Sequence, residues 1–307
     1  MTGTAVTAGR AREWIRKITG FRLGQFSMYP PRPLRLPPHY EAQPRGDMCP
    51  SISIVTPVFN QASYIEQTVA SVLGQNYPAL QYIVMDGGST DGTAEKLYAI
   101  RDRLSHLHSG PDDGQTAAIN AGMRYATGDI LAWLNGDDIV LPGTLDYVST
   151  YFENHPDVDV VYGHRIIIDE NGQDIGRWVL PTHSDSVLDW ADFIPQETLY
   201  WRRSIWRKIG EHLDDSFQFA MDWDFLLRLR DAGARFARVP RYLGGFRSHS
   251  RQKTLAEMPT TGLQEIARIH QRTLGHIPGR MERAWRLAPY IARHAVLQRA
   301  DRLFRLY

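Results

Sequence analysis

From residue 51 onward, short β-branched runs alternate with segments of helical spacing. Ser51-Ile52-Ser53-Ile54-Val55 reads as a strand ending at Thr56-Pro57, after which Ile65, Val69, Val72 and Leu73 recur at the spacing of one buried helix face. Residues 81–85 form a second apolar strand that runs into Asp86-Gly87-Gly88-Ser89. Helices are predicted over 93–104 and 115–125, and a third strand over 130–134 that ends at Asn135-Gly136-Asp137-Asp138. This alternation predicts an α/β fold: a Rossmann-like, mostly parallel sheet flanked by helices, with ligand sites at the strands' C-terminal ends.

The pattern changes at Val158. Residues 158–162, 165–169 and 175–180 are strand candidates, the last two joined by an Asn171-Gly172 turn, so an antiparallel addition to the sheet is expected. A helix near Ile205, another over 222–230 and strands around Phe236 and Leu243 follow. Residues 260–307 read as two helices broken at 275–279 and interrupted by Pro289. From Arg268 onward this stretch carries nine arginines against Glu282 and Asp301, interleaved with Trp285, Leu287, Tyr290 and Ile291. Two readings stay open: a basic amphipathic segment on an anionic membrane surface, or helices packed back on the domain with their arginines solvated. The expected organisation is a basic and Pro-rich N-terminal arm (1–50), a folded domain (51–255) and a helical C-terminal extension (256–307).

Composition narrows the partners. With 307 residues and 43% hydrophobic content the chain can bury a large core, which excludes wholesale disorder. A formal charge of +1 gives no global positive field, so nucleic acid is not expected as a partner. Cys49 is the single cysteine, and no Cys/His spacing suits structural zinc, which fits a reducing compartment. No apolar run reaches the roughly 18 residues of a membrane span, and no signal-peptide core is seen at the N-terminus. The expected location is cytoplasmic, with at most a peripheral contact at the inner face of the cell membrane.

The candidate chemistry lies where predicted strands end: Thr56-Pro57-Val58-Phe59-Asn60, Asp86-Gly87-Gly88-Ser89-Thr90-Asp91-Gly92-Thr93 and Asn135-Gly136-Asp137-Asp138. Any one could be a turn or a helix cap. Together they offer room for a nucleotide and carboxylates that suit Mg²⁺ or Mn²⁺, hard cations that bridge protein oxygens to a diphosphate. Neither a G-x-x-x-x-G-K-[ST] loop nor a G-x-G-x-x-G fingerprint is present, so the usual ATPase and dinucleotide readings lose their main support.

These motifs, with Gln75-Asn76-Tyr77-Pro78, Gly114-Gln115, Ala118-Ile119-Asn120-Ala121-Gly122, Ala126-Thr127-Gly128-Asp129 and Asp222-Trp223-Asp224-Phe225, resemble the family 2 glycosyltransferases of the GT-A fold over roughly residues 51–250. The resemblance implies an inverting, metal-dependent enzyme that moves a sugar, a hexose in the expected case, from a nucleotide-sugar donor to a hydroxyl of a glycan or lipid-linked acceptor. It implies a donor site of Thr56, Pro57, Asn60, Asp86, Gly114, Gln115, Asn120, Asn135 and Asp137. Asp138 is the implied main ligand of a Mn²⁺ or Mg²⁺ ion, with Asp137 and His249 beside it; Arg251 or Lys253 would reach the diphosphate. Asp222 is the implied catalytic base, with Asp224 its rival, and Glu197 and Trp201 lie on the acceptor side, where Trp201 or Tyr200 would either stack on a sugar or pack in the core. Gly87 stands where the family often has a second acid that contacts the base, which leaves uracil, guanine and thymine open. Two alternatives compete: a nucleotidyltransferase acting on sugar phosphates, disfavoured by the lack of a Gly-rich basic loop after the first strand, and a catalytically silent nucleotide- or glycan-binding module, disfavoured by the retained acids.

Overall fold

The computed structural model describes residues 28–41, 49–250 and 258–304. In chain order its elements are β1 (Ile52–Val58), α1 (Ile65–Leu73), β2 (Leu80–Asp86), α2 (Thr93–Tyr98), β3 (His106–Ser109), α3 (Gln115–Met123), β4 (Ile130–Trp133), β5 (Ile139–Val140) and α4 (Thr144–Asn154). Then come β6 (Val160–Ile168), β7 (Asp174–Trp178), α5 (Asp185–Leu188), β8 (Tyr200–Arg202), α6 (Arg203–Lys208), α7 (Met221–Asp231), β9 (Phe236–Arg247), α8 (Leu263–Leu274) and α9 (Arg280–Phe304). Among the described residues the strands form one sheet in the order β3-β2-β1-β4-β8-β6-β9-β5, with β7 paired to β6. Strands β1 to β4 are mutually parallel where they pair; β8 enters antiparallel between β4 and β6, and the β6–β7 hairpin and β5 add further antiparallel edges. The hairpin turns at Gly172, whose φ of +78° a Cβ would strain.

Side-chain alternation sends each central strand into two cores. Ile52, Ile54, Tyr82, Val84, Ile130 and Ala132 face α1 and α4, where they meet Val69, Val72, Leu145 and Phe152. Val55, Ile83, Met85, Leu131 and Trp133 face the other way, onto Ile119 and Met123 of α3 and Phe225, Leu226 and Leu229 of α7. Because both faces are covered, the strands read as continuous apolar runs.

Several expectations change. The predicted helix over 93–104 ends at Tyr98, because the chain must turn to enter β3; that edge strand, His-Leu-His-Ser, has no apolar run to announce it. Residues 158–162 and 165–169 are one strand, β6, with a register shift around His164, and the two strands expected near Phe236 and Leu243 are the single long β9. The two halves of β6 are joined by Gly163, where a Cβ would stand 2.5 Å from the Arg241 carbonyl oxygen of β9. Helix α9 runs through Pro289, which sits on its exposed side, where water can serve the carbonyl left without an amide donor. Helix α4 and strand β5 were not anticipated.

The C-terminal helices pack against the domain. Ile269 of α8 joins the α7 core, and His294, Gln298 and Asp301 bury one face of α9, with the Tyr242 hydroxyl donating to Asp301 Oδ2 at 2.9 Å. The opposite face leaves Met281, Trp285, Val296 and Leu303 exposed. Among the described residues no helix is long and apolar enough to cross a membrane.

Candidate active site

A cleft of about 2310 Å³ opens at the C-terminal ends of β1, β2 and β4. It is lined by Pro57, Gly87, Gly114, Gln115, Asn135, Asp137 and Asp138, and also by Glu197, Asp192 and Asp222. Helix α9 also lines it, with Ala284, Leu287, Ala288, Ile291, Ala292 and Ala295.

At the β1–β2 end the loops are tied to one another. Asp86 is buried and accepts hydrogen bonds from the hydroxyls of Ser89 and Ser109, both at 2.5 Å, while the Asn60 amide donates to Ser89 Oγ at 2.8 Å and Asn60 Oδ1 accepts the Thr90 amide at 2.9 Å. Asn60 holds this position at φ +52°, a left-handed conformation that asparagine tolerates. A Cβ at Gly87 would come within 2.8 Å of Asp112 Oδ2, so the Asp112 carboxylate fills the space a side chain at 87 would take. Gln115 Nε2 donates to Asn135 Oδ1 at 2.7 Å and joins α3 to the β4 loop.

Four expected donor residues, Thr56, Asn60, Asp86 and Asn120, are not among the residues that line the cleft. Thr56 is fully buried with its hydroxyl 3.1 Å from that of Tyr82, and Asn120 spends its amide on the backbone of Leu213 and on Asp215. Asp86 is enclosed by its serines. All four side chains make their contacts within the protein.

The two acids after β4 have different environments. Asp137 is half-buried and its Oδ2 lies 2.9 Å from His249 Nε2. Asp138 is 2% exposed; its Oδ1 accepts the Arg247 amide at 2.9 Å and its Oδ2 lies 3.4 Å from Asn135 Nδ2. Burial and the carboxylates of Asp137 and Glu197 push the Asp138 carboxyl well above its usual range, against the pull of the Arg247 amide and the Arg165 guanidinium. The buried Arg247 side chain holds the segment by donating to the carbonyls of Asp137, Asp169 and Glu170 and to Gln67. Carboxylate oxygens beside an imidazole nitrogen are an apt donor set for Mn²⁺ or Mg²⁺. Among the described residues, however, no three His, Cys, Asp or Glu side chains already converge as a metal cage.

Sequence reading missed Arg165. It grips Glu197 through two hydrogen bonds, Nε to Oε1 at 2.8 Å and Nη2 to Oε2 at 2.5 Å, with Phe246 and Trp178 at 4.5 and 5.2 Å from its guanidinium. This fixed cation lies in the middle of a cleft of acids. Inside an apolar β6 run nothing distinguishes it from a strand-edge arginine.

Asp222 and Asp224 separate by helix geometry. Asp222 lines the cleft from the first turn of α7, where the helix N-terminus favours a carboxylate. Asp224 is 1% exposed on another face and pairs with Arg272 of α8 at 2.6 Å. The loop that delivers Asp222 is pinned by Glu265 of α8, which accepts the amides of Gln218, Phe219 and Ala220 at 2.8, 2.8 and 2.7 Å. Trp201 corrects an expectation: it is wholly buried against Trp133, Phe225 and Trp206, and Tyr200 is buried too, so neither can stack on a sugar. Arg251 and Lys253 lie outside the described residues.

Known proteins bear on this geometry. The chain is 29% identical over 183 residues to a PGL/p-HBAD biosynthesis glycosyltransferase of Mycobacterium tuberculosis, covering 58% of this chain and 69% of that one. An uncharacterised glycosyltransferase of Haemophilus influenzae is 24% identical over 218 residues, 66% of this chain and 67% of its own. An uncharacterised glycosyltransferase of Rickettsia felis is 30% identical over 149 residues, 48% of this chain, and the match spans only 24% of that longer protein. Among solved structures, Staphylococcus aureus TarS 1–349 in complex with UDP-GlcNAc superposes with a TM-score of 0.59 at 17% identity, over 83% of this chain and 76% of that one, which shows the shared GT-A fold. The profile of glycosyl transferase family 2 matches residues 53–231, more than half of the chain, and the chain belongs to that family of glycosyltransferases.

Proposed function

We propose that the chain transfers a sugar from a nucleoside-diphosphate donor to an acceptor hydroxyl with inversion at the anomeric carbon. The observation that carries this reading is that Asp222, Asp137 and Asp138 line one cleft. A donor lying along the β1, β2 and β4 loops would put its nucleoside near Gly87, Asp112 and Gln115 and its diphosphate near Asp137. Asp137, Asp138 and His249 would hold a Mn²⁺ or Mg²⁺ ion, which supplies positive charge to the departing diphosphate. Asp222 takes the acceptor's hydroxyl proton as its oxygen attacks, and the Arg165–Glu197 pair orients the sugar between them.

The acceptor enters past α9. Its exposed Met281, Trp285 and Val296 flank an alanine-lined mouth, with Arg286 and Arg293 alongside, and this favours a lipid-linked acceptor presented at an anionic membrane surface. Co-sedimentation with phosphatidylglycerol vesicles should be lost in Trp285→Glu; equal binding by both proteins would remove the membrane contact.

The test of the donor site is calorimetric titration with UDP, GDP and dTDP, each with and without Mn²⁺. UDP is the first probe, because TarS 1–349 has been seen in complex with UDP. Metal-dependent binding of one diphosphate, weakened in Asp137→Ala, supports the reading. Folded protein that binds none of them overturns it.

A further inference from the structure

Helix α9 lays one face along the cleft. The cleft-lining residues Arg280, Arg283, Leu287, Ile291 and Ala295 recur every three or four residues, the spacing of neighbours on one side of a helix. The first turn of this face is charged and the rest is apolar, so from Ala284 to Ala295 it offers hydrocarbon surface for about 16 Å at 1.5 Å per residue. Trp190 and Phe193 of the loop after α5, Phe219 ahead of α7 and Ile266 of α8 also line the cleft, and all four are half-buried. Two ring contacts hold α9 to that loop: the Arg286 guanidinium lies 5.2 Å from the Trp190 ring, and the Tyr290 and Phe193 rings are 4.9 Å apart.

The cations of the cleft are unequally committed. Arg165 is spent on Glu197. Among the described residues neither Arg280 nor Arg283 has a carboxylate within ion-pair distance, and Glu282, the acid between them in sequence, pairs with His276 at 3.0 Å. At about 2310 Å³ the cleft is more than twice the size of a pocket for one small molecule, about 300–1,000 Å³, and has room for a second ligand beside a donor. An apolar face that ends in two unpaired guanidiniums complements a hydrocarbon chain with an anionic end. A phosphate monoester presents three terminal oxygens to the two planar forks, against two for a carboxylate.

We propose that this part of the cleft binds a single-chain lipid phosphate, with the phosphate held by Arg280 and Arg283 and the chain lying along α9 from Ala284 to Ala295. The proposal deepens the glycosyl-transfer reading and rests on it for one point: the bound lipid is the acceptor, and its phosphate carries the group whose hydroxyl Asp222 deprotonates. One row of side chains along one helix suits one chain rather than the two of a membrane phospholipid. The site is separate from the membrane contact, because Met281, Trp285 and Val296 do not line the cleft.

The experiment is calorimetry in EDTA, which keeps a metal-dependent donor site out of the measurement. Farnesyl phosphate, below its micelle concentration, is compared with inorganic phosphate, farnesoic acid and dihexanoyl phosphatidic acid. Farnesyl phosphate should bind at least about a hundredfold tighter than inorganic phosphate, because its chain is buried. Arg280→Gln and Arg283→Gln combined in one protein should weaken it at least about tenfold by removing the charge-assisted donors. Ala288→Glu, which puts a charge in the path of the chain, should weaken it at least about tenfold as well. Arg280 and Ala288 are exposed and Arg283 is half-buried, so both proteins should melt within about 2 °C of wild type.

Folded wild type that does not bind farnesyl phosphate, unchanged affinity in either variant, or farnesoic acid or dihexanoyl phosphatidic acid bound as tightly as farnesyl phosphate each overturns the proposal. The measurement needs no turnover. Farnesyl phosphate bound by a protein that binds no nucleoside diphosphate defeats the glycosyl-transfer reading and leaves the lipid site standing, whereas nucleotide binding without farnesyl phosphate binding defeats the lipid site alone.

Discussion

Arg272 of α8 reaches Asp224 of α7 at 2.6 Å, and that contact divides the labour of two carboxylates only two residues apart. Asp224 is committed to joining two helices, whereas Asp222 on the neighbouring face meets the cleft. Asp222→Asn should lower kcat about a hundred- to ten-thousandfold while leaving the melting temperature and nucleotide affinity near wild type. Asp224→Ala should do the reverse, costing about 1–2 kcal/mol of stability, because half-exposed Arg272 can be solvated once its partner is gone. Urea unfolding and steady-state kinetics on the two variants separate the roles.

Glu265 ties the C-terminal helices to the loop that leads into Asp222. It accepts three backbone amides just ahead of Asp222, so Glu265→Ala should cost about 2–4 kcal/mol and lower kcat more than donor affinity. Donor binding lost in parallel with kcat would show that α8 supports the whole pocket rather than the delivery of Asp222.

Most of the β1–β4 half was legible in the chain because its strands are buried on both faces and its loops carry acids and glycines at fixed places. Strand β2 ends at Asp86 and β4 at Trp133, each within a residue of the expected end. What escaped was set by long-range contacts. Polar β3 is a strand only because β2 pairs with it, and Arg165 and Glu265 acquire meaning from partners 30 or more residues away. Trp201 shows the converse: an aromatic in a plausible place for sugar stacking was taken by the core, a choice that spacing alone does not reveal.

The approach of α3 to the sheet is set by Gly122, where an added Cβ would lie 2.4 Å from Val55 Cγ1 and 3.0 Å from Met85 Cγ. Gly122→Ala should therefore cost about 1–3 kcal/mol despite the better helix propensity of alanine, by overpacking two central strands. Chemical denaturation gives this directly; a stabilised variant would mean that α3 can slide on the sheet.

Buried histidines should make stability fall in acid. Burial lowers His164 to about 3 and His294 to about 4, from 6.5 for an exposed histidine. Between those values the unfolded chain binds more protons than the folded one, so stability is full above pH 6.5 and falls as pH drops toward 4. The Leu180 amide donates to His164 Nδ1 at 3.0 Å, which places the ring proton on Nε2. His164→Asn keeps an acceptor for that amide and cannot titrate. The pH dependence of its urea midpoint between pH 7 and 4 should flatten by up to about 1.4 kcal/mol per pH unit. An unchanged slope would remove His164 from the acid response.

Single displacement driven by Asp222 can be tested without knowing the natural acceptor, by letting water take its place. With the α-linked nucleotide sugar selected in the binding titration, proton NMR can record which anomer of free sugar appears first, before mutarotation, for wild type and Asp222→Asn. The expected result is the β-anomer from wild type and release reduced at least about a hundredfold in Asp222→Asn. First appearance of the α-anomer, or equal rates from the two proteins, would contradict inversion by this base.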